Sequence, residues 1–225
     1  MKQAKLRTGG TSITLETGDP ISSMPTAFRS ALPPRLEDAF KDPKQFLGSI
    51  ANSTACGPFR SFLHGCIEQD RYELVVVDPN FPFPITISAL KVIANGGKEC
   101  FLHPQECGAY AGKLPEVFSH IKWINWGGLG CSGELLAENS WLKLTDFVPN
   151  CKHLAFSDTN TKVFASSPCG DLMACNTHGQ AGFVNHETAN AYEFGTLSEM
   201  VDWIFDGLQT GRSLEFDGER CDSAV

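Results

Sequence analysis

Residues 170 to 205, GDLMACNTHGQAGFVNHETANAYEFGTLSEMVDWIF, gather two histidines, a cysteine and several carboxylates into one short stretch. Such side chains can bind a metal, move protons or supply a nucleophile. His186 and Glu187 match the first half of the zinc-peptidase signature. That motif needs a second histidine four residues on, so that both imidazoles share one helical face, and position 190 is Asn. Cys169, Cys175 and His178 form one further candidate metal set, and Cys100, His103 and Cys107 another. Both have irregular spacing and neither contains a C-x-x-C knuckle, so no metal is expected. A thiol chemistry can be written on Cys56 in NSTACGPFRSF, where a helix starting at Gly57 would favour the thiolate. A hydrolase built on Cys56 needs a distant base, for which His153, with Asp158 nearby, is the best placed. A buried, inert thiol before a Gly-Pro turn is the commoner situation in a chain with nine cysteines.

The elements around these residues decide how they are used. DLMAC and GFVNHE have the length and composition of strands, so NTHGQ becomes a hairpin loop with His178 at its tip, where a histidine is more often solvated than catalytic. His186 then ends a strand, and Asp171 begins one, where its carboxylate can bind turn amides. HLAFSD and TKVFASS add two more apolar runs between polar clusters, which predicts an antiparallel meander. Thr196 and Glu199 form a T-x-x-E capping box. Leu197, Met200, Val201, Ile204, Phe205 and Leu208 repeat at helical spacing up to Gly211, which predicts a helix there.

Upstream, residues 1–34 are rich in Gly, Ser, Thr and Pro and are expected to form a flexible arm before a single domain over 35–225. LEDAFKDPKQFLGSIANSTACGPFRSFLHGC predicts short helices broken at Pro43 and at Gly57-Pro58. YELVVVDPNFPFPITI reads as a strand running into an extended edge or turn. ISALKVIANGG reads as a short helix stopped by Gly96 and Gly97, and residues 113–120 as another. The tryptophans of KWINWGGLG, Trp123 and Trp126, are expected to pack on the sheet.

With 225 residues, 42% of them hydrophobic, the chain can build a sizeable core. Its formal charge of −8 argues against a general nucleic-acid binder, which gains affinity by setting cations against phosphate. From Glu187 to Val225 nine acidic residues stand against two basic ones. Such a face can steer a basic partner. No apolar run suits a signal peptide or a membrane span, and free thiols suit a reducing compartment, so a cytoplasmic protein without membrane contact is expected.

HLAFSDTNTKVFASSPCGDLMACNTHGQAGFVNHETANAYEFGTLSEMVDWI resembles the C-terminal half of the SUKH superfamily, which includes bacterial toxin-immunity proteins and a yeast cell-wall-synthesis regulator. In that family a strand is followed by a Gly-Asp start to the next strand, a turn, a strand ending near a His-Glu pair, and an amphipathic helix. Val163 to Ser166, Gly170 and Asp171, Asn176 to Gln180, Phe183 to Glu187, and Leu197 to Leu208 take these places in the same order. IANGG is similar to the family's Asn-Gly-Gly turn, so the resemblance extends loosely over residues 85–211. It implies an α+β domain with a mostly antiparallel sheet flanked by helices. It also implies a non-enzymatic immunity-like protein that binds and neutralises a cognate toxin, with no catalytic residue, metal or cofactor; carboxylates of such a protein could oppose the cations of a nuclease. Trp126, Asp171, Glu187 and Glu193 are the expected partner contacts. A Cys56 hydrolase and a general interaction module of the same fold are the alternatives.

Overall fold

The computed structural model describes residues 2–8, 11–16, 18–77, 88–104, 119–127, 133–136, 141–149 and 159–215. The expected strand at HLAFSD, most of the expected helix at 113–120, Cys107, His153 and Asp158 lie outside the described residues.

The chain begins with a hairpin, β1 (Lys2–Thr8) and β2 (Thr11–Leu15), followed by four helices: α1 (Thr26–Ser30), α2 (Pro34–Lys41), α3 (Pro43–Ser53) and α4 (Gly57–Gln69). Pro34, Pro43 and Pro58 each sit in a helical first turn, where no amide hydrogen is missed, so these prolines start helices as well as separating them. Asp42 caps α3 by accepting from the Gln45 amide at 3.0 Å. Then come β3 (Tyr72–Val77), β4 (Ser88–Ile93), β5 (Glu99–Pro104), β6 (Ile121–Trp126), β7 (Gly133–Leu135), β8 (Leu142–Lys143) and the short α5 (Leu144–Phe147). The meander β9 (Lys162–Ser166), β10 (Leu172–Cys175), β11 (Gln180–Val184) and β12 (Ala191–Thr196) leads into α6 (Leu197–Thr210).

All the described strands join one sheet in the order β12-β11-β10-β9-β7-β6-β5-β4-β3-β1-β2, with β8 also paired to β9. The β1–β3 pair is parallel, and the other described pairs are antiparallel. The molecule is thus an α+β protein with a large, open, mostly antiparallel sheet. Leu6, Leu74, Val76, Leu90, Leu102, Ile124, Met173 and Phe183 share one buried core with side chains of α2, α3, α4 and α6. There Phe205 of α6 lies 4.8 Å from the Phe59 ring and 5.4 Å from the Phe62 ring. The opposite face holds two smaller clusters, Val75, Ala89 and Phe101, and, beside α5, Leu144, Val148, Val163, Leu172, Ala174 and Val184. Strands buried on both faces lose the apolar–polar alternation that marks a half-exposed strand.

The N-terminal segment expected as a flexible arm is built into the fold. Ala4 and Leu6 are 0% and 1% exposed, and Ile21, Met24, Phe28 and Leu32 are buried too. Its apolar residues are few but spaced to meet the core, while its backbone pairs with both β2 and β3. ISALKVI is likewise a strand rather than a helix. Ala89 faces one cluster while Leu90 and Val92 face the other, and Gly96 and Gly97 serve a hairpin instead of ending a helix. There the Ala94 amide donates to Lys98 O at 3.0 Å, the Gly97 amide donates to Ala94 O at 2.8 Å, and Gly97 takes a φ of 80°. KWINW is strand β6 itself. β3, the expected strand, runs between β1 and β4 at Tyr72–Val77, and the extended edge or turn expected to follow it at 78–87 lies outside the described residues.

Candidate functional site

Part of the polar stretch at 170–205 gathers where β9 and β11 end and β10 begins. The turn from β9 to β10 is closed by the Ser167 amide donating to Asp171 O at 2.8 Å and by the Asp171 amide donating to Ser167 Oγ at 3.2 Å. Gly170 takes a φ of 91°, and a Cβ placed on it would lie 3.2 Å from the His186 ring. Glycine therefore serves both the backbone angle and the close approach of the imidazole.

Asp171 is buried, at 7% exposure. Its Oδ1 accepts from Asn185 Nδ2 at 3.1 Å, from the His186 amide at 3.3 Å and from His186 Nδ1 at 3.2 Å. A carboxylate only accepts, so Nδ1 carries the proton and Nε2 points outward, 3.9 Å from Glu187 Oε1. Asn185 Oδ1 in turn accepts from the Glu187 amide, the Thr188 amide and Thr188 Oγ1 at 3.1, 2.8 and 2.9 Å. The β11–β12 loop is thereby fixed, and it holds the Glu187 side chain in solvent at 77% exposure.

A buried carboxylate on Nδ1 with an outward Nε2 is also the geometry of a catalytic His–Asp pair, which needs a nucleophile within hydrogen-bond reach of Nε2. Among the described residues no hydroxyl or thiol hydrogen-bonds to Nε2. Cys169, in the same turn, has its thiol pushed up from the ordinary range, first by its hydrogen bond to Glu215, then by desolvation and the nearby charges of Glu215 and Asp171. Those carboxylates oppose the thiolate that attack would require.

The other candidates are spread apart. His178 is exposed at the tip of the β10–β11 hairpin, where Asn176 Oδ1 accepts from the His178 amide at 2.9 Å and the Gln180 amide at 3.0 Å. Cys175 is buried and Cys169 exposed, so the first thiol–imidazole set does not converge. Cys100 is buried, with its thiol pushed up to about 12 by burial. No group of three metal-ligating side chains occurs among the described residues. Cys56 does occupy the N-cap position of α4, but its side chain does not cap the helix, and its Sγ donates to Asp202 Oδ1 at 2.9 Å. A carboxylate in that position repels the negative sulfur that the helix terminus would favour.

Of the four expected partner contacts, two reach the surface. Trp126 is 1% exposed and packs against Gly133, whose missing Cβ leaves room for the indole; it is a core residue and cannot touch a partner. Asp171 is an internal anchor, its oxygen committed to the turn. Both were expected to be exposed, and both are corrected by burial. Glu187 and Glu193 are exposed. Glu193 pairs with Gly182 in register and lies on the same side of β12 as Ala191, away from α6, whose Trp203 ring is 5.8 Å from Phe194. Leu142 and Phe147, not singled out in the sequence, are 52% and 47% exposed beside Leu144 and Val148 of the cluster on that same face. Large exposed apolar groups carry meaning only when they share a surface. The shared surface here appears only once β8 pairs with β9.

A second polar array crosses the middle of the sheet. His103 Nε2 lies 3.1 Å from Asn125 Oδ1, and Asn125 Nδ2 donates to Glu134 Oε2 at 3.3 Å. Burial brings His103 down to about 4, against the hydrogen bonds to Asn125 and the Ser88 carbonyl, which favour the charged form. Burial also raises Glu134. The imidazole borders a cavity of about 230 Å³ between the α1–α2 connection and the ends of β4 to β6. No family model, curated protein or solved structure matches this chain.

Proposed function

We propose that this is a non-enzymatic, immunity-like protein of SUKH type that acts in the cytoplasm of its producing cell by binding a cognate protein toxin. The observation that carries the reading is the anchored loop between β11 and β12. Asp171, Asn185 and His186 use their hydrogen bonds to hold the loop, and Glu187 is left facing solvent. A loop ordered in advance loses little entropy on association, so its charge is available for recognition. Glu193 adds a second carboxylate, and Leu142 and Phe147 offer apolar area on the sheet face that Glu193 shares. The SUKH label rests on the resemblance in sequence, whose segments fall on β9, the Gly170-Asp171 turn, β10, β11 and α6, with β12 between the last two.

The reading is tested by exchanging Glu187 and Glu193 for lysine and measuring capture of the partner at low and high salt. Two reversed charges at an interface rim are expected to weaken capture about tenfold at low salt, and less at high salt. Unchanged capture at low salt would remove these acids from the interface. A partner that binds but is harmless when expressed alone would instead make the chain a general interaction module.

A further inference from the structure

The two ends of the sheet are finished differently. At one end, β12 carries the exposed Glu193, meets β11 through a register shift between Ala181 and Gly182, and runs directly into the capping box of α6. Charge and irregularity of this kind discourage another strand from pairing. At the other end β2 reads TSITL, with no charge, no proline and an unbroken register to β1 from Thr11 to Leu15. Thr11, Ser12, Ile13 and Thr14 are all exposed, Ile13 at 48%. Nothing in β2 opposes the addition of a strand.

The neighbouring strand says which kind. Ala4 and Leu6 of β1 point into the helix-side core, so Lys5 and Arg7 point to the opposite face. In register, Lys5 sits beside Thr14 and Arg7 beside Ser12. Neither cation forms an ion pair among the described residues, and the Arg7 Nε is buried without an acceptor. A strand added to β2 lies roughly 10 Å from β1. Over side chains as short as serine and threonine, a carboxylate from that strand and a lysine or arginine from β1 can meet.

We propose that β2 is a docking edge for an acidic peptide segment in extended conformation, which pairs its backbone with β2 and sets alternate carboxylates over Ser12 and Thr14 against Lys5 and Arg7. The backbone pairing supplies affinity, and the two cations supply the charge preference. This edge is at the far side of the sheet from Glu187 and Glu193, and the proposal stands independently of a toxin partner.

The test is a fluorescence anisotropy titration of the full chain with labelled peptides of about eight residues, one alternating Glu with Val and one alternating Lys with Val. At about 50 mM salt the Glu peptide is expected to bind at least about tenfold more tightly, with the gap closing as salt rises. In the complex the amides of residues 11–15 should exchange more slowly. Lys5→Gln with Arg7→Gln should abolish the preference. If that variant does not fold, Ser12→Glu with Thr14→Glu on the exposed strand should do the same. Equal binding of both peptides, no binding of either at about 1 mM, or a preference surviving both sets of substitutions overturns the proposal. So does concentration-dependent self-association of the unmodified chain that the Ser12 and Thr14 substitutions remove, since the edge would then belong to a second copy.

Discussion

Asp171 shows how far a single side chain can be read before the fold is known. Its place after Gly170 at a strand start pointed to turn amides, and it does accept a backbone amide, though from His186, which lies past the end of β11 in the β11–β12 loop rather than ending a strand. Its burial was not legible, because that depends on how β10 and β11 close over it. Replacing Asp171 with Ala leaves the Asn185 and His186 donors without an acceptor. The expected loss is about 1–3 kcal/mol of stability, read as a lower denaturant midpoint with an unchanged slope. His103 gives a pH signature. Its value of about 4 in the folded chain lies below the ordinary 6.5. Between those limits the unfolded chain binds a proton that the folded chain does not, so stability is full above pH 6.5 and is lost as pH falls toward 4. Between pH 7.5 and 5 the loss amounts to about 2 kcal/mol. His103→Gln should flatten the stability profile over that interval, and a profile as steep as that of the unmodified chain would place the titrating group elsewhere.

Elements were legible where local chemistry alone dictates them. The Thr196–Glu199 capping box is present in full: the Glu199 amide donates to Thr196 Oγ1 at 3.2 Å and the Thr196 amide donates to Glu199 Oε2 at 2.7 Å. Thr196→Ala is expected to cost about 1 kcal/mol in denaturant unfolding without affecting partner capture. The prolines placed the breaks between α2, α3 and α4 correctly, for the same reason of local sterics. β4 was misread because Ala89, Leu90, Val92 and Ile93 form a short apolar run, and periodicity does not separate a doubly buried strand from a helix. β12 was missed because its pattern, in which Tyr192 and Glu193 are exposed and Phe194 half-buried, is that of a bulged edge. β1 was missed because composition describes an average, whereas two small contacts, Ala4 and Leu6, decide whether the strand is held. Leu6→Ala should therefore destabilise the whole protein by roughly 2–5 kcal/mol. A flexible arm would show no change, so global denaturation of this variant separates the two descriptions.

At the scale of the molecule, the antiparallel meander follows from its turns, but the order of the sheet does not. Placing β1 beside β3 in parallel requires the chain to pass through β2 and four helices before returning, and that choice is made by the shared core under α2, α3 and α4. The same assembly brings Leu142 and Phe147 onto the face that carries Glu193, and it sinks Trp126 into the core. The surface proposed for partner binding was therefore legible as acidic residues and illegible as a patch. Binding to a cognate toxin is the central claim. Its most direct measurement is capture of the tagged protein from its native cells, followed by expression of the captured partner alone and together with this chain. The account predicts one stable partner that is toxic alone and harmless when this chain is present, with rescue weakened by Glu187→Lys and Glu193→Lys together. Failure to capture any stable partner, or capture of a toxic partner whose toxicity persists in the presence of this chain, would contradict it.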